Sequence, residues 1–227
     1  MNVIDALPQS SCTGCGLCSE ICSCSCIGMK EDSEGFMYPS VDNEKCSNCG
    51  ICVKKCPSLM PEGTLETTKD AEYYAAIISD RETLVRESSG GVFGAMADSV
   101  LERDGCVCGC IYNDKMEAIH TVTDDKDVVE KMYGSKYVQS DFRESFSSVR
   151  RLLESGRTVL ATGTACQIAA LRSFLKKEYE NLYTVDILCH GVPSPGFFRK
   201  FVSHLSTKYT GTVIDVRFRD KEKKGWG

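Results

Sequence analysis

Two stretches of the chain carry cysteines at a spacing that points to metal ligation. SCTGCGLCSEIC holds Cys12, Cys15, Cys18 and Cys22, and KCSNCGICVKKCP holds Cys46, Cys49, Cys52 and Cys56, followed by Pro57. Both read C-x2-C-x2-C-x3-C, with Gly16 and Gly50 after the second cysteine of each. A duplicated run of this kind is the ligand spacing of bacterial proteins that hold two [4Fe–4S] clusters. Three thiolates in a tight loop grip three corners of one cubane, and the fourth leads away on a short helix to the other cluster. The spacing therefore predicts one cluster on Cys12, Cys15, Cys18 and Cys56, and a second on Cys46, Cys49, Cys52 and Cys22. A zinc module is the alternative, but it usually pairs two C-x2-C units across a longer gap, whereas here each half supplies four cysteines in one run. Two features depart from the pattern: Ser23 stands where proline is usual, and CSCSC adds Cys24 and Cys26. Either could replace a ligand. The spacing favours Cys22 and leaves Cys24 and Cys26 as small buried residues against the clusters.

The totals fit this reading. Ten of the fifteen cysteines lie at or before Cys56. The 227 residues are 42% hydrophobic and 26% charged, an ordinary globular composition. The net charge of -5 gives no general pull toward nucleic acid or an anionic membrane. The start, MNVIDALPQS, lacks the features of a secretory signal, and no run of ~18 apolar residues offers a membrane span. The cytoplasm is the expected compartment, and in its reducing conditions these cysteines are not expected to form disulfides.

Positioning the cysteines requires a small α+β unit of ferredoxin-like two-cluster type over residues 1–60. EDSEGFMYPSVD reads as a turn and short hairpin between the repeats, punctuated by Gly35 and Pro39. Residues 61–70, polar and without periodicity, read as a linker. Residues 71–227 alternate strand and helix patterns and predict an α/β domain with a mixed sheet. AEYYAAIIS is a strand candidate. GGVFGAMADSVLERDG has helical spacing. CVCGCIYN and EAIHTVT predict two strands joined at Asn113 and Asp114. FRESFSSVRRLLESG predicts a helix, TVLATG a strand, TACQIAALRSFLKK a helix, LYTVDILCH a strand, SPGFFRKFVSHLSTKY a helix and TVIDVRFRD a last strand. The chain then stops at KEKKGWG directly after a strand pattern, which reads as a truncated C-terminus.

Several stretches of this second part carry residues that could do chemistry. Ser88, Ser89, Gly90 and Gly91 precede a helix, where amides and hydroxyls can hold a phosphate; the plainer reading is a serine N-cap with glycines in the turn. Gly163 and Thr164 sit at a strand-to-helix turn, where α/β sheets place ligands, and Cys166 follows in the first helical turn, either as a dipole-favoured thiolate or as an inert buried cysteine. Cys189 and His190 end a strand pattern. Cys106, Cys108 and Cys110 alternate on one strand face and read as buried. YGSKYVQSD offers Ser135, Lys136 and Tyr137, of which tyrosine could pack on a ring and lysine could meet a phosphate or a reduced ring.

In this order, after a two-cluster segment, ESSGGVF, YGSKYVQSD, TGTACQ and LCHGVPSP resemble the coenzyme F-420 hydrogenase/dehydrogenase beta-subunit family. The family usually has proline where this chain has Ala165. The resemblance implies an iron–sulfur flavoprotein oxidoreductase that passes electrons between two [4Fe–4S] clusters and a bound FAD. The flavin then exchanges hydride with a small-molecule acceptor such as a deazaflavin coenzyme. It implies flavin contacts from Ser88, Ser89, Gly90, Gly91, Ser135, Lys136, Tyr137, Gly163 and Thr164. His190 and Lys136 are the expected catalytic residues for positioning the hydride acceptor, and a redox partner protein or subunit is expected. The rival readings are a ferredoxin-type electron-transfer subunit without catalysis of its own, and a regulator whose cluster loss alters partner binding.

Overall fold

The computed structural model describes residues 1–61, 64, 71–219 and 221. The first ordered turn, α1 (Val3–Ala6), is held by a capping box in which the Asn2 side chain accepts from the Ile4 and Asp5 amides and Asp5 accepts from the Asn2 amide. Each cysteine repeat runs into a short helix, α2 (Leu17–Glu20) and α3 (Ile51–Lys55). The glycine after the second cysteine explains the similarity. Gly16 and Gly50 adopt φ of 76° and 72°, a left-handed turn that converts the loop into a helix and that costs glycine little.

Between the repeats, β1 (Ile27–Glu31) and β2 (Met37–Val41) form the expected antiparallel hairpin, with Ile27 opposite Val41. Its turn is closed by the Asp32 carboxylate, which accepts from the Glu34 and Phe36 amides. Pro39 does not punctuate the segment as expected. It sits inside β2 opposite Met29, a place a two-stranded ribbon allows because each strand is an edge.

The rest of the described chain is built on four strands, β3 (Cys106–Tyr112), β4 (Ala118–Thr123), β5 (Val159–Thr164) and β6 (Leu182–Ile187), in the order β4-β3-β5-β6. β3 pairs antiparallel with β4, whereas β3–β5 and β5–β6 are parallel, so the sheet is mixed as expected. The helices are α4 (Arg81–Arg86), α5 (Val92–Leu101), α6 (Lys126–Glu130), α7 (Arg143–Glu154), α8 (Ala165–Leu175) and α9 (Pro195–Lys208). Strand alternation divides the core into two layers. Cys106, Cys108, Val159 and Ala161 pack with Phe146, Val149 and Leu153 of α7 and Leu171 and Phe174 of α8. Val107 and Leu160 face the other way, onto Ala97 and Val100 of α5 and Val129 of α6. Cys106 and Cys108 are thus buried as expected, while Cys110, on the same strand, is partly buried beside Met116 and Phe198.

Three expected strands need correction. AEYYAAIIS forms no strand: Tyr73, Tyr74 and Ile77 are exposed, and without a buried face or a neighbouring strand its alternation has nothing to pair with. TVIDVRFRD is irregular over its described residues. Val213 and Val216 pack on the Met116–Phe198 cluster, a spacing of three that a strand cannot present to one face. LYTVDILCH is a strand only to Ile187, because β5, its pairing partner, ends at Thr164 opposite that residue. The expected linker lies outside the described residues except for Pro61 and Thr64, as does most of KEKKGWG.

The cysteine-bearing segment is fastened to the sheet at several points. Leu17 enters the α7–α8 core. Gln139 donates to the Thr13 carbonyl at 3.3 Å and accepts from the Met37 amide at 3.3 Å. Ser173 of α8 donates to the Lys55 carbonyl at 2.8 Å, and Arg199 of α9 pairs with Glu31. Gly35 packs directly on Gly196: a Cβ on Gly35 would stand 2.6 Å from the Gly196 Cα, so both must be side-chain-free.

Candidate functional site

The fold brings the cysteines together in two sets that cross the repeats. One cavity is lined by Cys12, Cys15 and Cys18 together with Cys56. A second is lined by Cys46, Cys49 and Cys52 together with Cys22, and also by Cys24 and Cys26. The short helices α2 and α3 make the exchange, since each carries its fourth cysteine away from its own loop and toward the other. No group of three or more His, Cys, Asp or Glu side chains among the described residues is placed to hold a single metal ion. The sulfurs surround a space instead of converging on a point, and the all-thiolate donor set is the one that [4Fe–4S] clusters use.

The environments of these thiols differ. Burial pushes Cys15 up to about 11 and Cys18 further, with Cys12 and Cys56 adding mutual repulsion as thiolates. Ligation requires the thiolate, so iron binding here must draw protons off. At Cys22 burial acts in the same direction but is outweighed by hydrogen bonds from Cys26, Cys24 and Ile27, and its pKa is lowered. Cys26 is buried as expected; Cys24 is not, being half-exposed with its Sγ 3.4 Å from Ser47 Oγ.

The sites expected in the second part come together in part. Ser88 and Ser135 meet Oγ to Oγ at 2.9 Å, joining the ESSGG and YGSKY stretches. Ser88 and Ser89 do not cap the following helix: its N-cap is Gly91, with φ of 76°. Ser89 is exposed and its carbonyl accepts from Lys221, while the Gly90 carbonyl accepts from the Ile78 amide at 2.8 Å. Behind them Glu87 is buried and accepts from the Gly94 amide at 2.7 Å. Lys136 turns back on its own loop, donating to the carbonyls of Lys131 at 2.7 Å and Tyr133 at 2.9 Å, and burial lowers its pKa to about 8. Tyr137 is partly exposed and meets the Phe218 ring edge-on.

Gly163 and Thr164 end β5, and Thr164 forms a capping box with Gln167 at the start of α8. Gln167 in turn donates to Ser140 Oγ at 2.9 Å, and Ser140 Oγ lies 3.2 Å from Nδ1 of His120. Cys166 Sγ stands 3.1 Å from Thr164 Oγ1. Cys110, whose thiol burial pushes up to about 11, faces both Lys136 and Ser140. The Ser88–Ser135–Lys136 group and the Thr164–Gln167 group are therefore neighbours across the carboxyl ends of the parallel strands β3 and β5, the usual ligand edge of such sheets.

Two larger cavities flank this edge. One of about 240 Å³ lies between the cysteine-bearing segment and the sheet, bounded by Gly14, Met29, Gln139, Ser140, Arg143 and Arg199. The other, about 590 Å³, takes in Ser135 and Lys136 with Tyr112 and residues 212–219, and Tyr112 Oη there is buried without a hydrogen-bond partner among the described residues.

His190 is not gathered in. It lies exposed in the loop after β6 beside exposed Cys189, whose Sγ accepts from the Gly191 amide. The histidine that the fold does bury is His120, packed at 4.6 Å on Phe142 and held down to about 4 by burial. The sequence marks His120 only by its place in an alternating strand pattern, whereas T-A-C-Q has the T-x-x-Q form of a capping box.

Comparison with known proteins accords with this division. Residues 11–60 match a 4Fe–4S dicluster domain. Residues 156–226 match the family described as the C terminus of the coenzyme F420 hydrogenase/dehydrogenase beta subunit. The family matched is the one that the motifs resemble, and the two matches support an iron–sulfur segment joined to a segment like that of an oxidoreductase subunit. The chain is also 42% identical over 55 residues to the B component of the Na(+)-translocating ferredoxin:NAD(+) oxidoreductase complex of Acetobacterium woodii, a match covering 22% of this chain and 15% of that protein. The chain thus spans a small part of the length of that relative. Among the described residues no helix is long and apolar enough to cross a membrane.

Proposed function

We propose that the protein is an iron–sulfur flavoprotein oxidoreductase of the coenzyme F-420 hydrogenase/dehydrogenase beta-subunit type. Its ferredoxin-like segment (1–60) holds two [4Fe–4S] clusters, and its α/β part (71–227) holds FAD. When bound, the clusters supply one-electron transfer and the flavin supplies hydride exchange with an acceptor such as a deazaflavin coenzyme. The observation that carries the reading is the crossing of the two repeats into two four-cysteine sets, Cys12, Cys15, Cys18 and Cys56 against Cys46, Cys49, Cys52 and Cys22. A duplicated loop that builds two mutually completed thiolate cages has cluster binding as its natural purpose.

For the flavin, the support is the meeting of Ser88 with Ser135 and the nearness of Lys136 to Thr164 through Cys110 and Ser140. Ser88, Ser89, Gly90 and Gly91 would offer amides and hydroxyls to phosphate at the start of α5. Ser135, Lys136, Tyr137, Gly163 and Thr164 would line the ring side. Lys136 positions the hydride acceptor through its remaining N–H, two of its donors being spent on the Lys131 and Tyr133 carbonyls. His190 meets the acceptor from the exposed loop after β6. A cytoplasmic redox protein or partner subunit exchanges electrons with the clusters.

Anaerobic purification with iron, sulfide and released-flavin quantitation on one sample tests the reading. About eight irons and one FAD per chain are expected from two cubanes and one flavin site. Zinc in place of iron would refute it. Eight irons without flavin would favour a dedicated electron-transfer role without catalysis, a reading that the partial likeness to a component of a ferredoxin:NAD(+) oxidoreductase complex makes worth testing.

A further inference from the structure

The two cysteine cavities are not equivalent. Four cysteines line the one completed by Cys56, whereas six line the one completed by Cys22. A cubane uses four thiolates, so two thiols are in surplus on one side. The surplus comes from the exit of the first repeat, where Cys22 is followed by Cys24 and Cys26; after Cys56 the chain instead enters a Pro57–Leu59 turn with no further cysteine.

Of the two surplus thiols, Cys26 is the one placed to act. It is buried within the apolar cluster of Val3, Leu7, Ile27 and Cys52. Its Sγ stands 3.3 Å from Cys22 Sγ. Two sulfurs in contact can fill only one corner of a cubane between them. The C-x3-C spacing assigns that corner to Cys22. The neighbouring thiol then faces Cys22 at 3.3 Å, with Cys46 also against it.

We propose that Cys26 donates an S–H···S hydrogen bond to Cys22 and thereby raises the reduction potential of the cluster that Cys22 completes. The inference rests on the two-cluster reading. Its physical basis is that a reduced cluster carries one more negative charge than an oxidised one, and a hydrogen bond to a ligand sulfur stabilises the more negative form. Cys26 acts through Cys22 and is a positioning residue, not a ligand.

The test is an EPR-monitored redox titration of anaerobically purified full-length protein, with iron and sulfide counted on the same samples. Cys26→Ala and Cys26→Val both remove the donor, and valine keeps the volume filled should alanine destabilise the core. Each is expected to retain the wild-type iron while one of the two potentials moves negative. At the wild-type midpoint the reduced-to-oxidised ratio of that cluster should fall several-fold; a tenfold fall corresponds to about 59 mV for one electron. Cys26→Ser, which retains a donor, should recover most of the shift. Unchanged potentials in a variant that keeps both clusters would overturn the proposal. So would loss of half the iron on removing Cys26, which would make it a ligand. Wild-type protein lacking two clusters would refute the two-cluster reading itself, so the two failures are distinguishable.

Discussion

Lowering the pH should destabilise the protein through one buried side chain, His120. Its imidazole is almost wholly enclosed, stacked obliquely on Phe142 and bonded through Nδ1 to Ser140 Oγ. Burial drives its pKa from 6.5 to about 4, against a hydrogen bond to the Thr162 backbone and the Asp141 charge that act the other way, with Lys136 reinforcing the fall. Because the folded value lies below the unfolded one, the unfolded chain binds a proton first. The neutral ring therefore contributes fully above the unfolded value, and its contribution is lost as pH falls from 6.5 toward 4. A shift of about 2.5 units corresponds to roughly 3 kcal/mol in all, and about 2 kcal/mol of it should be gone between pH 7.5 and 5. The assay is anaerobic urea unfolding of wild type and His120→Gln at both pH values. Taking the difference between the two proteins cancels the acid sensitivity that any bound cluster adds to both. Wild type should lose about 2 kcal/mol more than the variant on acidification. Equal losses would show that His120 titrates near its ordinary value and that the Ser140–Gln167 network does not enclose it as described.

Three other outcomes are expected. Cys56→Ala should remove the cluster of the first repeat and not that of its own, lowering iron from about eight to about four per chain; alkylation mapped by mass spectrometry should then label Cys12, Cys15 and Cys18 while Cys46, Cys49 and Cys52 stay protected. Phe146→Ala, which empties a fully buried position ringed by Phe142 at 5.1 Å and Phe174 at 5.3 Å, should cost roughly 3–5 kcal/mol in chemical denaturation. Gly91→Ala forces a side chain onto φ of 76° with its Cβ 2.5 Å from Ile78 Cδ1. It should cost at least roughly 1–2 kcal/mol and lower the flavin retained on purification, with iron content unchanged.

Much of the fold was legible because the decisive signals are local. The repeats announce themselves by spacing, and a glycine after the second cysteine can be read directly as a left-handed entry into a helix. Strands β3, β5 and β6 and helices α5, α7, α8 and α9 follow from periodicity that matches real burial, as with Phe146, Val149 and Leu153 on one face of α7. The misread strands share a different cause. AEYYAAIIS and TVIDVRFRD have β-favouring residues, but strand formation needs a partner edge and a buried face. Nothing in their own residues tells that the sheet ends at β4 on one side and at β6 on the other.

The candidate site divides along the same line. The cysteine sets were readable because ligand number and spacing are covalent facts of the chain, and crossing follows from a helix too short to return to its own loop. The second part was harder. Ser88 and Ser135 are 47 residues apart, and no local pattern says that their hydroxyls meet. His190 drew notice because it follows a strand pattern, yet that strand ends three residues earlier, and the position becomes open loop. His120 drew none, because an isolated histidine on an alternating strand looks like any half-buried polar residue. What distinguishes it is tertiary: Ser140 and Phe142 arrive from the loop that enters α7, and Gln167 from the first turn of α8. A buried imidazole wired through a serine to the capping residue of the strand-to-helix turn ties the shape of that turn to the protonation of one ring. The geometry of the Gly163–Thr164 edge thus depends on packing among three separate stretches of chain, which is why motif order could point to the edge while the residue that braces it emerged only in three dimensions.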